Sequence, residues 1–147
     1  MADFPHVYTT NAQGSNDAIL QLTSDKLPAL QVSPPKEFGG PDSFWNPEAL
    51  FSASISTCFI LTYKAIARAK KLIWDGINVD ADSYLDKNGH QLSFTRVDIF
   101  VTLTIPLSEA GKEDFYLSAL EKAEETCLVT NSITATIKLY PKIILKE

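Results

Sequence analysis

From Ala49 to Leu61 this chain carries no charged residue, and from Ala49 to Leu72 it carries neither glycine nor proline. Just before that run, Asn46 is a good helix N-cap, Pro47 suits the first helical position, and Glu48 complements the positive helix end. Small and apolar residues alternate around every face. A helix uncharged on all sides is buried on all sides. The positive charges come only afterwards, at Lys64, Arg68, Lys70 and Lys71, where they suit a helix C-terminus. A chain of 147 residues fits one domain, 1–147, and so small a monomer struggles to cover a helix from several sides. The run therefore predicts a homodimer.

The rest of the chain supplies the cover. Phe4–Thr10 and Ala18–Leu22 read as strands split by a polar turn over Asn11–Asp17, and Leu30–Ser33 as a short third strand. A breaker-rich loop, Pro34 to Pro41, is suited to holding a set shape beside a site. Trp74–Leu85 and Gln91–Ile105 read as long strands joined at Asn88-Gly89, a strong hairpin signal. Ser108–Thr126 reads as an amphipathic helix with Cys127 near its end, and Ile133–Leu145 as a last strand. The order implies an α+β fold of antiparallel sheets around a long buried helix and a second helix.

The formal net charge of −5 argues against nucleic acid and acidic membranes as partners. Met1–Thr10 lacks the basic and apolar regions of a signal peptide, and no run of about 18 apolar residues suggests a spanning helix, so the expected location is cytoplasmic. The two cysteines, Cys58 and Cys127, are then buried hydrophobes or chemistry rather than a staple. His6 and His90 share no metal-ligand spacing with them, so no metal is expected. No phosphate-binding or dinucleotide fingerprint is present, and no cofactor is implied.

Five blocks in order carry a family likeness. They are Pro35-Lys36-Glu37-Phe38-Gly39-Gly40-Pro41, Asn46-Pro47-Glu48-Ala49-Leu50-Phe51, Ser56-Thr57-Cys58-Phe59, Phe94-Thr95-Arg96, and Cys127-Leu128-Val129-Thr130-Asn131-Ser132. Together they resemble the OsmC/Ohr superfamily, in an intertwined homodimer of OsmC-like domains. The resemblance implies a thiol-dependent peroxidase reducing organic hydroperoxides or hydrogen peroxide. Cys58 would be oxidised to a sulfenic acid, Cys127 would resolve it as a disulfide, and a lipoyl-type dithiol would reduce that disulfide. Glu48 matches the family's functional glutamate. The alternative is a catalytically weak dimer that binds a small hydrophobic or thiol ligand at the subunit interface.

An apolar helix raises a thiol's pKa, so a cation is expected to offset it. The resemblance implies an early arginine paired with the glutamate, yet nothing before Cys58 is arginine. Lys36, Arg68 and Arg96 are the candidate substitutes, although lysine lacks the fork that pairs with a carboxylate. Glu48 and Cys58 lie ten positions apart, roughly 15 Å of helix rise. The expected solution is a site at the dimer interface, with the glutamate supplied by the partner subunit. Phe38, Phe44 and Trp45 are candidates for an apolar wall that covers the helix start or selects bulky hydroperoxides.

Overall fold

The computed structural model describes residues 3–147 and forms two compact units, one running to Phe51 and one over Ser52–Glu147. In the first, β1 (Asn11–Gln13), β2 (Leu20–Thr23) and β3 (Leu30–Val32) make an antiparallel sheet in that order. Two expectations shift here. Phe4–Thr10 is not a strand: it has no partner strand among the described residues, and its Phe4, Val7 and Tyr8 side chains stand in solvent. Asn11–Gln13, read as turn, is the strand instead, paired with β2 from Asn11 opposite Thr23 to Gln13 opposite Gln21.

Beyond β3 the chain makes one 3-10 turn at Lys36–Phe38, closed by Gly39 at φ 85°, a left-handed angle that suits glycine. A Cβ at Gly40 would run into the Pro34 carbonyl, so this loop requires a glycine there. The loop returns beside β3, where the Ser33 N–H donates to the Trp45 carbonyl at 2.9 Å. Then α1 (Pro47–Lys70) begins as the sequence predicts: the Ala49 N–H donates to Asn46 Oδ1 at 2.7 Å.

In the second unit β4 (Gly76–Asn88), β5 (Gln91–Pro106) and β6 (Thr136–Lys146) form a sheet with β5 in the middle. The hairpin turns at Asn88-Gly89, with Gly89 at φ 64°. Not all pairs are antiparallel: β5 and β6 run parallel. A parallel pair needs a crossover connection, and α2 (Glu113–Thr126) supplies it. Pro141 is tolerated because β6 is an edge strand. The helix predicted from Ser108 breaks in two. A 3-10 turn at Leu107–Glu109 precedes α2, and Gly111 at φ 90° separates them.

The core of this unit follows two periods. Val97, Ile99, Val101, Leu103 and Ile105 alternate along β5 and are all buried. Tyr116, Ala119, Leu120 and Ala123 of α2 recur at helical spacing and are buried too. Each such large side chain contributes about 1.5–3 kcal/mol by leaving water. From α1 only Ile55, Phe59, Tyr63 and Ala67 are buried, a single stripe every fourth residue. The expectation of a helix buried all round is therefore corrected for the single chain: Leu61 is 63% exposed.

By length and mean hydropathy α1 is apolar enough to cross a membrane, which corrects the expectation that no segment is. One stripe of it is buried within this chain, and it is tied to the sheet of the second unit. The Ser52 hydroxyl donates to the Ala81 carbonyl at 2.7 Å and accepts from the Ser83 hydroxyl at 3.0 Å, which docks α1 on β4.

Candidate active site

Cys58 sits midway along α1 and Cys127 caps the end of α2, and both are free thiols. Their environments pull in opposite directions. Cys127 is fully buried. Burial pushes its thiol up; the Thr130 N–H and hydroxyl act against this, while donation toward Cys58 and the negative charge on Cys58 add to the rise. The net shift is upward. Burial also pushes Cys58 up, but the Val129 N–H, the Cys127 thiol, the Thr62 hydroxyl and the Leu128 N–H all donate toward its sulfur. Together they hold its pKa below the ordinary cysteine value.

The donors come from local backbone geometry. After Cys127 the chain turns tightly: the Asn131 N–H donates to the Cys127 carbonyl at 3.0 Å, and the Ser132 N–H to the Val129 carbonyl at 3.0 Å. The first N–H groups of a turn have no internal acceptor, and here those of Leu128 and Val129 are turned on Cys58. Thr62 lies one helical turn beyond Cys58. Its hydroxyl donates to the Cys58 carbonyl at 2.7 Å, and its oxygen is 3.8 Å from Sγ. The structure thus brings the two predicted cysteines together as hydrogen-bonding neighbours, one with its pKa lowered and the other with its pKa raised.

No cation is among the groups that hold the Cys58 pKa down. The Lys36 ammonium lies 4.0 Å from Asp42, both well exposed. The Arg96 guanidinium stacks 4.0 Å over the Tyr84 ring, with its Nε 3.3 Å from Asp98 Oδ1. It is occupied on the sheet surface. Within the single chain the lowering comes from neutral donors, two on the backbone and two on side chains. Leu128, Val129 and Thr62 were missed as contributors. Backbone N–H groups leave no mark in residue identity, although a cysteine at a helix end followed by a tight turn is a usable signal.

Glu48, one residue into α1, carries an Oε2 that is buried and without a hydrogen-bond partner among the described residues. It lines an apolar pocket of the first unit with Phe38. Trp45 bridges Val32 and is half-exposed; Phe44 beside it is part-buried. No three His, Cys, Asp or Glu side chains among the described residues are arranged to hold a metal.

The model of the family described as OsmC-like protein matches residues 40–142. An organic hydroperoxide resistance protein of Xanthomonas axonopodis pv. citri is 32% identical over 117 residues, covering 79% of this chain and 79% of that protein. An uncharacterized protein of Bacillus subtilis, YmaD, is 22% identical over 141 residues, covering 95% and 93%. Among solved structures, an OsmC-like protein of unknown function from Vibrio cholerae superposes with a TM-score of 0.86 at 15% identity, over 93% of this chain and 99% of that one. An organic hydroperoxide resistance protein from Elizabethkingia anophelis superposes at 0.75 with 21% identity, over 99% and 100%. At these identities the two structures speak for the fold.

Proposed function

This chain belongs to the OsmC/Ohr superfamily of OsmC-like proteins, and from that premise we propose that it is a two-cysteine hydroperoxide reductase. The observation that carries this reading is the pairing of a Cys58 thiol held low by N–H donors with a neighbouring Cys127 thiol held high. The names of the hydroperoxide resistance relatives point to the same substrate class.

The Cys58 thiolate attacks the terminal oxygen of a hydroperoxide. The O–O bond breaks, the sulfur is oxidised to a sulfenic acid, and the released alkoxide takes a proton to leave as alcohol. The Cys127 sulfur then attacks the Cys58 sulfur, and the hydroxyl leaves as water with the Cys127 proton. The product is a Cys58–Cys127 disulfide. A lipoyl-type dithiol reduces it by two exchanges and becomes a cyclic disulfide itself. In this cycle the Leu128 and Val129 N–H groups act on the attacking thiolate.

The working unit proposed is a cytosolic homodimer. Two observations support association: the apolar faces of α1 left open in one chain, and the exposed apolar side chains Phe4, Val7 and Tyr8 of the N-terminal segment. In such a dimer the glutamate that serves Cys58 is Glu48 of the partner subunit. Ten positions of helix separate the two residues within one chain, roughly 15 Å.

The test is an anaerobic thiol titration after one equivalent of an organic hydroperoxide. Wild-type protein is expected to lose both thiols, and Cys127→Ser to hold a trappable sulfenic acid at Cys58. Two thiols surviving the peroxide would reject the function.

A further inference from the structure

The chain has four glutamines, and three of them stand side by side. Gln13 on β1 lies opposite Gln21 on β2, and Gln21 lies opposite Gln31 on β3. Residues opposite one another share a face of a sheet, so the three carboxamides project together. All three residues are exposed, which leaves their carboxamides within reach of a ligand. With Ser15 and Asp17 from the turn between β1 and β2 they line a cavity of about 340 Å³, and Ile19 and Leu20 give it an apolar part. Gly14 completes the wall, where a Cβ would run into the Leu20 side chain. No lysine, arginine, histidine or aromatic residue is among the lining residues. Asp17 is the one charge among them, and its Oδ1 accepts from the Ile19 N–H at 3.1 Å.

We propose that this pocket binds a neutral saccharide of about two rings, held by the carboxamides of Gln13, Gln21 and Gln31. A carboxamide offers two donors and an acceptor in one plane and carries no charge. Neighbouring strands lie about 4.8 Å apart, so the row repeats this pattern at that interval over about 10 Å. The interval is close to the span between alternate hydroxyls of a pyranose ring, and the row is about as long as two such rings. The C–H face of the sugar lies on Ile19 and Leu20, and Ser15 and Asp17 add a donor and an acceptor at the turn. An anion finds no cation in the pocket and meets Asp17, and an apolar alcohol leaves most of the amides without a partner. No residue of this pocket takes part in the thiol chemistry proposed above, so its occupation stands or falls apart from peroxide reduction.

The experiment is a maltose titration of the full, reduced chain followed by nitrogen–proton correlation spectra, in which glutamine side-chain NH2 groups report directly. Shifts are expected to concentrate on the NH2 groups of Gln13, Gln21 and Gln31 and on the backbone of the Gly14–Asp17 turn. They should saturate in the millimolar range that suits an open site. Glucose, with one ring, is expected to bind more weakly, and cyclohexanol and glucuronate to leave these signals nearly unmoved. Gln21→Ala removes the middle carboxamide from an exposed strand position and is expected to weaken maltose roughly tenfold or more. Thr23→Ala, on the same face but outside the pocket, is expected to bind as wild type does. The same spectra show that each variant is folded. Glutamine NH2 signals that ignore maltose, shifts as large with cyclohexanol, or full maltose affinity in Gln21→Ala would each overturn the proposal.

Discussion

The two long helices solve the same problem in different ways. α2 hides Tyr116, Ala119, Leu120 and Ala123 and turns charged residues such as Glu121 and Lys122 outward, so one chain covers most of its apolar side, Phe115 being an exposed exception. α1 hides only Ile55, Phe59, Tyr63 and Ala67, and its other faces stay apolar though open. The contrast teaches that patterning reports the final cover and not the cover within one chain. An amphipathic helix expects one packed side and water on the other. A helix without a polar side expects protein all round, and the cover that the single chain omits is what the proposed second copy would supply.

A charge on the open face of α1 is the sharpest way to break that comparison. Leu61→Glu is expected to weaken self-association by several kcal/mol, because the dimer would bury an unpaired carboxylate. Sedimentation velocity should show monomer at concentrations where wild type is dimeric. Glu121→Lys on the exposed face of α2 should leave the dimer intact. An unchanged dimer in Leu61→Glu would place the interface elsewhere. The reciprocal change tests the packed side: Leu120→Ala on α2 removes a fully buried side chain and is expected to cost about 2–5 kcal/mol. Denaturant titration of a dilute, monomeric form should register that loss in full.

The same contrast governs what was legible in the sequence. Where one residue's identity settles the geometry, the reading held: Asn46 capped α1, and Asn88-Gly89 closed the β4–β5 hairpin. Where a partner decides, it did not. β1 has only exposed positions in a three-residue ladder, so no apolar alternation marks Asn11–Gln13 as a strand. Phe4–Thr10 has the composition of a strand but no strand among the described residues pairs with it. Alternation along β6 showed that it lies on a sheet, yet carried no sign of its parallel run beside β5. The site divides likewise. Two cysteines on two helices were visible as candidates. Their activation was sought among cations at Lys36 and Arg96; within the single chain the groups turned on Cys58 are the Leu128 and Val129 N–H groups with the Cys127 and Thr62 side chains, which residue identity alone does not announce.

The two thiols extend the comparison to reactivity. Cys58 has its pKa lowered and is partly accessible, while Cys127 has its pKa raised and is fully buried. At neutral pH alkylation by iodoacetamide, followed by peptide mapping, is expected to modify Cys58 at least about tenfold faster than Cys127, since only the thiolate reacts. The pH profile for Cys58 should have its midpoint below that of a free cysteine. The linkage has matching signs. For Cys58 the ionised form is favoured in the folded state, so its stabilising contribution is complete above the unfolded pKa and is lost as pH falls through the folded one. For Cys127 the neutral form is favoured, so its contribution is complete below the unfolded pKa and is lost as pH rises through the folded one. Equal alkylation rates, or a Cys58 midpoint above that of free cysteine, would break the assignment of roles.

The smallest expected effect isolates the helix's own share of that activation. Thr62 is the one side-chain hydroxyl turned on Cys58 from within α1, whereas the Leu128 and Val129 N–H groups come from beyond α2. Its shorter bond, 2.7 Å, goes to the Cys58 carbonyl, and the contact with Sγ is 3.8 Å. The sulfur therefore receives only a weak part of its donation. Thr62→Val keeps the branched shape and removes the hydroxyl. It is expected to raise the Cys58 midpoint slightly and to slow alkylation at neutral pH about two- to threefold, well under the effect of a full charge-assisted hydrogen bond. Thermal unfolding should barely change, because an exchange of hydroxyl for methyl on a helix removes no backbone bond. A tenfold loss would mean that the helix, rather than the turn after Cys127, sets the thiolate. No loss at all would assign the whole of the lowering to the backbone N–H groups and to Cys127.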